Sequence, residues 1–480
     1  MRKYLYIFSL LELLTFIPLK ISAEKVIYAW QMHRHGARAP YLGVTNFLDF
    51  YKEKWIDKEE LTNMGKRMLY LLGVKARKRY VNDTKLLSSE YSPQEILIRS
   101  TDVNRTIESV ECFIQGLYPH GTGPVLKENI ATNKGISYPP NIKYKDKFEE
   151  IIKQYNLNDE GKFYALPYRM NILPIHIFYN RAHEFGLYST NECKGHLEIN
   201  LAQKKRPEIA EFGKSLTTRF PGIIEYLQGT DDEKINYEYW NLFKYADTFV
   251  IDKRDQRTFE ILKNNPKYNF TDNDIEEYEK FSKKFLFMDY SETNYPKAHP
   301  EIATMSMSYT MHSIVNWMEN AKKGDTDKSS YIKYVVYSAH DASIGALEYF
   351  MENAFKEFNV TAEYAELAES RFFELYIDDN NNYKVRYLKG NSYEPKLDIT
   401  FDKFKEIINK ETWSDEKVAE YCKFNEKDTP TDTPSDSDTP TKETSIFTAS
   451  FIAMIIMIVI VVILVIILIV IVIKNKKRIN

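Results

Sequence analysis

Cysteine is scarce in this chain: 480 residues contain three, Cys112, Cys193 and Cys422. No Cys-x-x-Cys occurs and no cysteine–histidine cluster has metal-ligand spacing, which argues against a structural zinc site. Three thiols cannot all pair within one chain, so in an oxidising compartment one bridge and one buried thiol is the economical arrangement. Cys112 lies in an apolar, helical-looking segment where a free cysteine behaves as a small hydrophobe, which leaves Cys193 with Cys422. An excess of one charge is also lacking: 65 Lys and Arg face 68 Asp and Glu, a net charge of -3. Such a balance gives no reason to expect a polyanion groove, and no nucleic-acid partner is expected. No internal repeat is visible. Finally, Phe451 to Ile473 lacks any charged or polar side chain.

That last absence defines the domain plan. Twenty-three apolar residues make roughly 35 Å of helix, enough to span a bilayer. The span is drawn at 446–473, and the tail 474–480 carries Lys474, Lys476, Lys477 and Arg478, which the positive-inside bias places in the cytoplasm. At the other end Met1-Arg2-Lys3, an apolar block and Ile21-Ser22-Ala23 read as a signal peptide over 1–23. Both ends agree on a single-pass type I protein with its main domain, 24–422, lumenal or extracellular. Residues 423–445, rich in Asp, Thr and Pro, have no large apolar side chain after Phe424 and form a stalk. Sequons at Asn82, Asn104, Asn269 and Asn359 fit such a compartment as glycosylation sites.

Within 24–422 three strand-then-helix units stand out. Val26 to Met32 is an apolar run ending in Arg34-His35-Gly36-Ala37-Arg38-Ala39-Pro40. Glu95 to Ile98 leads into Arg99-Ser100-Thr101-Asp102 and a helix from Val103 to about Leu117, and Tyr331 to Tyr337 leads into Ser338-Ala339-His340-Asp341 and a helix from Ala342. Thr62 is placed to cap a helix through Leu72. Strands alternating with helices predict an α/β fold with a mostly parallel sheet flanked by helices. Residues 118–330, with helical stretches at Pro207 to Leu227, Asp274 to Phe287 and Ile302 to Lys322, read mainly as a smaller α-helical cap inserted beside it. Arg371 to Ile377 and Tyr383 to Tyr387 read as a β-hairpin.

Ligands bind outside the carboxyl ends of strands in such sheets, so Arg34, His35, Arg38, Arg99, His340 and Asp341 are expected to converge. Guanidinium forks match phosphate oxygens, and a neutral histidine between cations can attack phosphorus. The expected chemistry is phosphoryl transfer without metal or other cofactor. His35 is the nucleophile, Arg34, Arg38 and Arg99 the cradle, His340 a further donor, and Asp341 the acid that protonates the departing oxygen, favouring acid pH.

The same residues, together with Leu61-Thr62-Asn63-Met64-Gly65 and Phe372-Phe373-Glu374-Leu375-Tyr376, resemble those of the histidine acid phosphatases of the phosphoglycerate mutase-like superfamily. The resemblance implies a covalent phosphohistidine on His35, Asp341 as proton donor, and phosphate binding by Arg34, Arg38, Arg99 and His340. It also implies a Cys193–Cys422 bridge. The plan of signal peptide, domain, stalk, span and basic tail is similar to the membrane-anchored lysosomal-type members, in a lysosome-like compartment or at the cell surface. Phosphomonoesters are the expected partners, and a homodimer is left open. Alternatives are a phytase-like inositol phosphate phosphatase, or a catalytically weak surface glycoprotein on the same fold.

Overall fold

The computed structural model describes residues 24–41, 59–127, 164–177, 193–207, 271–286 and 299–423, with scattered positions between 129 and 254 that include 247, 250, 251 and 254. The expected signal peptide, stalk, span and tail, together with Asn269 and nearly all of Pro207 to Leu227, lie outside the described residues. Among the described residues no helix is long and apolar enough to cross a membrane.

In chain order the elements are β1 (Lys25–Arg34), α1 (Asn63–Arg77), β2 (Ile96–Ser100), α2 (Asn104–Leu117), β3 (His176–Ile177), α3 (Lys194–Lys204), α4 (Asp272–Leu286), α5 (Glu301–Asp327), β4 (Tyr334–Ala339), α6 (Asp341–Ala354), β5 (Ser370–Ile377), β6 (Tyr383–Lys389), β7 (Glu394–Thr400), α7 (Phe401–Glu411) and α8 (Asp415–Cys422). The seven strands form one sheet in the order β3-β2-β4-β1-β5-β6-β7. Pairing is parallel from β3 to β1 and antiparallel from β1 to β7. The parallel character is therefore confined to the half built from the three strand-then-helix units. The expected hairpin supplies β5 and β6 of the other half, because a short Asp/Asn turn can only return the chain antiparallel.

The pleat sorts the core into two layers. Trp30, Met32, Val335 and Tyr337 pack with Met307, Met311 and Ile344 of α5 and α6. Ala29, Ile98, Tyr334 and Val336 pack with Leu69, Leu72, Val110 and Phe113 of α1 and α2, as the period of two along a strand requires. Helix α5 and strand β3 both fall inside 118–330, yet α5 packs on the sheet and β3 extends it. Cys193 and Cys422 are bridged, 229 positions apart, which ties the start of α3 to the end of α8. Cys112 is free on α2.

Candidate active site

Register places the site. In the parallel half Arg34 pairs with Ala339 and Ser100 with Ser338, so the three strands end level and His35, Thr101 and His340 follow side by side. Backbone bonds hold that arrangement: His35 N–H donates to Ala339 O at 3.0 Å and Thr101 N–H to Ser338 O at 3.2 Å. The loop after His35 is locked by the start of α1. Thr62 gives both its N–H and its hydroxyl to Ala37 O, at 2.9 Å each, and its oxygen accepts Gly65 N–H at 3.1 Å. Gly36 and Gly65 meet back to back there. A Cβ on Gly36 would lie 2.5 Å from Gly65 O, so only glycine permits the approach.

His35 is 2% exposed. Its Nδ1 lies 2.8 Å from Gly36 O, and a carbonyl can only accept, so Nδ1 carries the proton and Nε2 keeps its lone pair. Burial, then the charges of Arg34, Arg105, His340 and Arg38, hold the ring well below the ordinary histidine pKa. It is neutral even in acid. His340 faces it at 5.6 Å between ring centroids. The His340 ring accepts Ser343 N–H as a helix cap, its Nε2 lies 3.0 Å from Thr101 Oγ1, and burial with Arg105 lowers its pKa to about 3.

Asp341 opens α6. Its Oδ2 accepts Arg34 Nη2 at 2.7 Å and its Oδ1 accepts Ala342 N–H at 2.9 Å. Burial pushes its pKa up, but Arg34, His340 and Arg38 outweigh that and hold it below the ordinary carboxylate value. Arg34 also donates to Tyr364 Oη at 2.7 Å and to Ala365 O at 3.0 Å. That 361–369 segment is fixed from behind by buried Glu348, which binds Arg371 and Lys389 and accepts Glu363 N–H at 2.8 Å. Arg38 is held bidentately by Asp247, and Arg105 reaches Glu59 at 3.2 Å. Each arginine of the cluster thus rests on its own carboxylate. Each also keeps one buried donor, the Nε–H of Arg34, Arg38 and Arg105, without a hydrogen-bond partner. Three unmatched donors around a nucleophile are what a tetrahedral oxyanion would satisfy.

The structure brings Arg34, His35, Arg38, His340 and Asp341 together. Arg99 lies on the same face of the sheet as Arg34, beside its register partner Tyr337, whose hydroxyl accepts its Nη1 at 3.1 Å, with Trp317 of α5 5.7 Å away. The third cation acting on His35 is Arg105, from the first turn of α2. From the sequence alone Arg105 had no role, although the helical turn after Thr101 offers a signal for it. Asp247, Glu59, Tyr41 and Tyr364 left none, since none belongs to the three strand-then-helix units. Among the described residues no group of His, Cys, Asp and Glu is arranged to hold a metal.

A family model described as histidine phosphatase superfamily (branch 2) matches residues 25–389. The chain belongs to that superfamily. It is 25% identical to a lysosomal acid phosphatase of Xenopus laevis over 80% of this chain and 74% of that relative. A shorter stretch is 39% identical to a lysophosphatidic acid phosphatase type 6 of Mus musculus, over 17% of this chain and 19% of the relative. A phytase of Hafnia alvei, solved with tartrate, aligns over 82% of this chain and 98% of its own at 12% identity with a TM-score of 0.47.

Proposed function

We propose that this protein is an acid phosphatase that hydrolyses phosphate monoesters in two steps. Nε2 of His35 attacks phosphorus, the bond to the ester oxygen breaks, and Asp341 gives that oxygen its proton, leaving phosphohistidine and an alcohol. Water then attacks the phosphohistidine with Asp341 as base, releasing phosphate and restoring His35. Arg34, Arg38, Arg99 and Arg105 bind the phosphoryl oxygens, and His340 adds a donor through its ring. The observation that carries the reading is the neutral His35, its Nδ1–H spent on Gly36, among three arginines that each retain an unmatched Nε–H. Resting Asp341 is an anion; a phosphoryl group that competes for Arg34 removes the partner that keeps it so, and the carboxyl then takes up the proton it must donate.

The buried Cys193–Cys422 bridge and the resemblance to a lysosomal acid phosphatase support a lumenal domain. The proposal keeps the signal peptide at 1–23, the stalk, the span at 446–473 and glycosylation at Asn82, Asn104, Asn269 and Asn359, of which Asn82, Asn104 and Asn359 are exposed. Tyrosines Tyr41 and Tyr364 stack on the cradle arginines, which favours simple monoesters over a many-phosphate substrate. The test is aryl phosphate hydrolysis by the full-length protein at acid pH with a chelator present, alongside trapping of an acid-labile phosphoenzyme. Both should be lost in His35→Ala. Equal turnover by that variant would sink the nucleophile assignment.

A further inference from the structure

Arg38 is the best-anchored cation of the cluster, and its anchor comes from none of the three strand-then-helix units. Nη2 meets Asp247 Oδ1 at 2.7 Å and Nη1 meets Oδ2 at 3.0 Å. The same Oδ2 accepts Tyr41 N–H at 3.1 Å. The Tyr41 ring lies 4.1 Å from the Arg38 guanidinium carbon, and its hydroxyl accepts Arg105 Nη2 at 3.5 Å. Residues 247, 250, 251 and 254 are helical, so they share one face. From that face Ile251 is buried and Arg254 donates to Arg38 O at 3.0 Å. One segment of the region between β3 and α4 therefore grips Arg38 by side chain and by backbone.

We infer that Asp247 is a positioning residue of the phosphate cradle: its two oxygens take one N–H from each terminal nitrogen of Arg38, Nη1 also donates to Ala39 O, and the guanidinium so fixed aims its Nε–H at the oxyanion. A planar guanidinium has five N–H donors in a fixed fork. When a carboxylate holds one edge, the orientation of the rest is set. Without that hold, mutual repulsion among Arg34, Arg38 and Arg105 would swing the longest-reaching of them towards solvent, and binding would have to include the entropy of fixing it again. The inference deepens the proposed phosphatase reading and rests on it for the identity of the anion.

The test is Asp247→Asn in the full-length protein, read by binding of inorganic phosphate as a shift in melting temperature, together with KM, phosphate inhibition and the pH profile of kcat. An amide can accept only one of the two N–H groups and turns its own NH2 against the other. Phosphate binding should weaken about tenfold, the loss of one charge-assisted bond, with KM rising in parallel. The alkaline limb of kcat should also move to lower pH. Asp341 is faced by Arg34 from the end of β1, by Arg38 from the loop after it, by His340 beside it, and by Tyr364 and Tyr41 from the flanking segments; an Arg38 charge no longer offset by Asp247 favours the carboxylate. A purely structural loss would leave that limb in place.

Phosphate binding equal to or tighter than wild type, with an unmoved limb, overturns the inference. Should Asp247→Asn fail to fold, Tyr41→Leu strips the ring from Arg38 and should weaken phosphate at least threefold; unchanged binding there overturns it equally. The two readings fail separately. A wild type that binds phosphate but neither turns over esters nor labels on His35 defeats the phosphatase mechanism, while the binding comparison still decides the role of Asp247.

Discussion

Replacing Arg105 and Arg99 by glutamine, one at a time, measures what each cation gives the phosphoryl group. Arg105 is 7% exposed and its charge acts on both His35 and His340. Loss of one preorganised donor to a developing oxyanion typically costs about 10²–10³ in rate, or about 3–4 kcal/mol at 1.4 kcal/mol per factor of ten. Arg105→Gln should therefore lower kcat/KM for an aryl phosphate by that factor. It should also move the acid limb to higher pH, because removing a cation beside His35 lets the ring protonate sooner on acidification. Arg99 gives Tyr337 a hydrogen bond and lies near the rings of Tyr337 and Trp317. Arg99→Gln should lower kcat/KM by a similar factor and in addition cost about 1–3 kcal/mol of stability, the range for a buried charged hydrogen bond. Steady-state kinetics across pH and thermal melts on the full-length variants give both numbers. Unchanged kcat/KM in Arg105→Gln would refute the assignment of Arg105 to the cradle, and unchanged kcat/KM in Arg99→Gln that of Arg99.

Asp341→Asn should slow phosphoenzyme formation severely for alkyl phosphates and much less for aryl phosphates whose leaving oxygen needs no proton; single-turnover labelling across a leaving-group series would show it, and a uniform loss would count against the acid role. Stability should fall on acidification below about pH 6.5. His33 is buried and neutral with its pKa lowered to about 3 by burial, so its unfolded form binds the extra proton and folding loses about 1.4 kcal/mol per pH unit between the two values, about 2 kcal/mol at pH 5. His35, lowered by burial and its arginines, adds in the same direction. Inorganic phosphate should recover part of the loss in a melt at pH 5, and a melting temperature independent of pH from 7 to 4.5 would contradict the neutral assignment of these rings.

The parts of the fold that were legible in the sequence are those where local pattern and tertiary role coincide. Apolar runs ending in polar clusters located β1, β2 and β4. Thr62 capped α1 because a hydroxyl before an apolar helix has few other uses. The antiparallel half was legible only as a hairpin, since nothing in Arg371 to Tyr387 states which strand it will join. Counting to the strand end is enough to find a site edge, and the pleat then sets Arg99 on the same face as Arg34, because their β4 partners Tyr337 and Ala339 are two residues apart. Arg105 sits one helical turn further on, where the first turn of α2 returns to the histidines. Asp247 and Tyr364 had no signal, because an anchor for an arginine needs only a carboxylate or a hydroxyl, and the chain has many of both.

Charge counting then explains why this site calls for acid. At rest Arg34, Arg38 and Arg105 are matched by Asp341, Asp247 and Glu59, and His35 and His340 are neutral, so these pairs bring no excess charge to the nucleophile. A phosphate monoester brings one or two negative charges, its second proton leaving at roughly pH 6. In a buried site that excess cannot be left to solvent. Of the three carboxylates, Asp247 is fixed bidentately and Glu59 is over a third exposed, whereas Asp341 shares its arginine with the phosphoryl oxygens. Asp341 is therefore the group that releases its hold and accepts a proton when the substrate enters. The proton restores the charge balance and lies on the atom that must give it to the leaving oxygen, so binding and general-acid catalysis draw on one protonation, and neither requires the nucleophile to titrate.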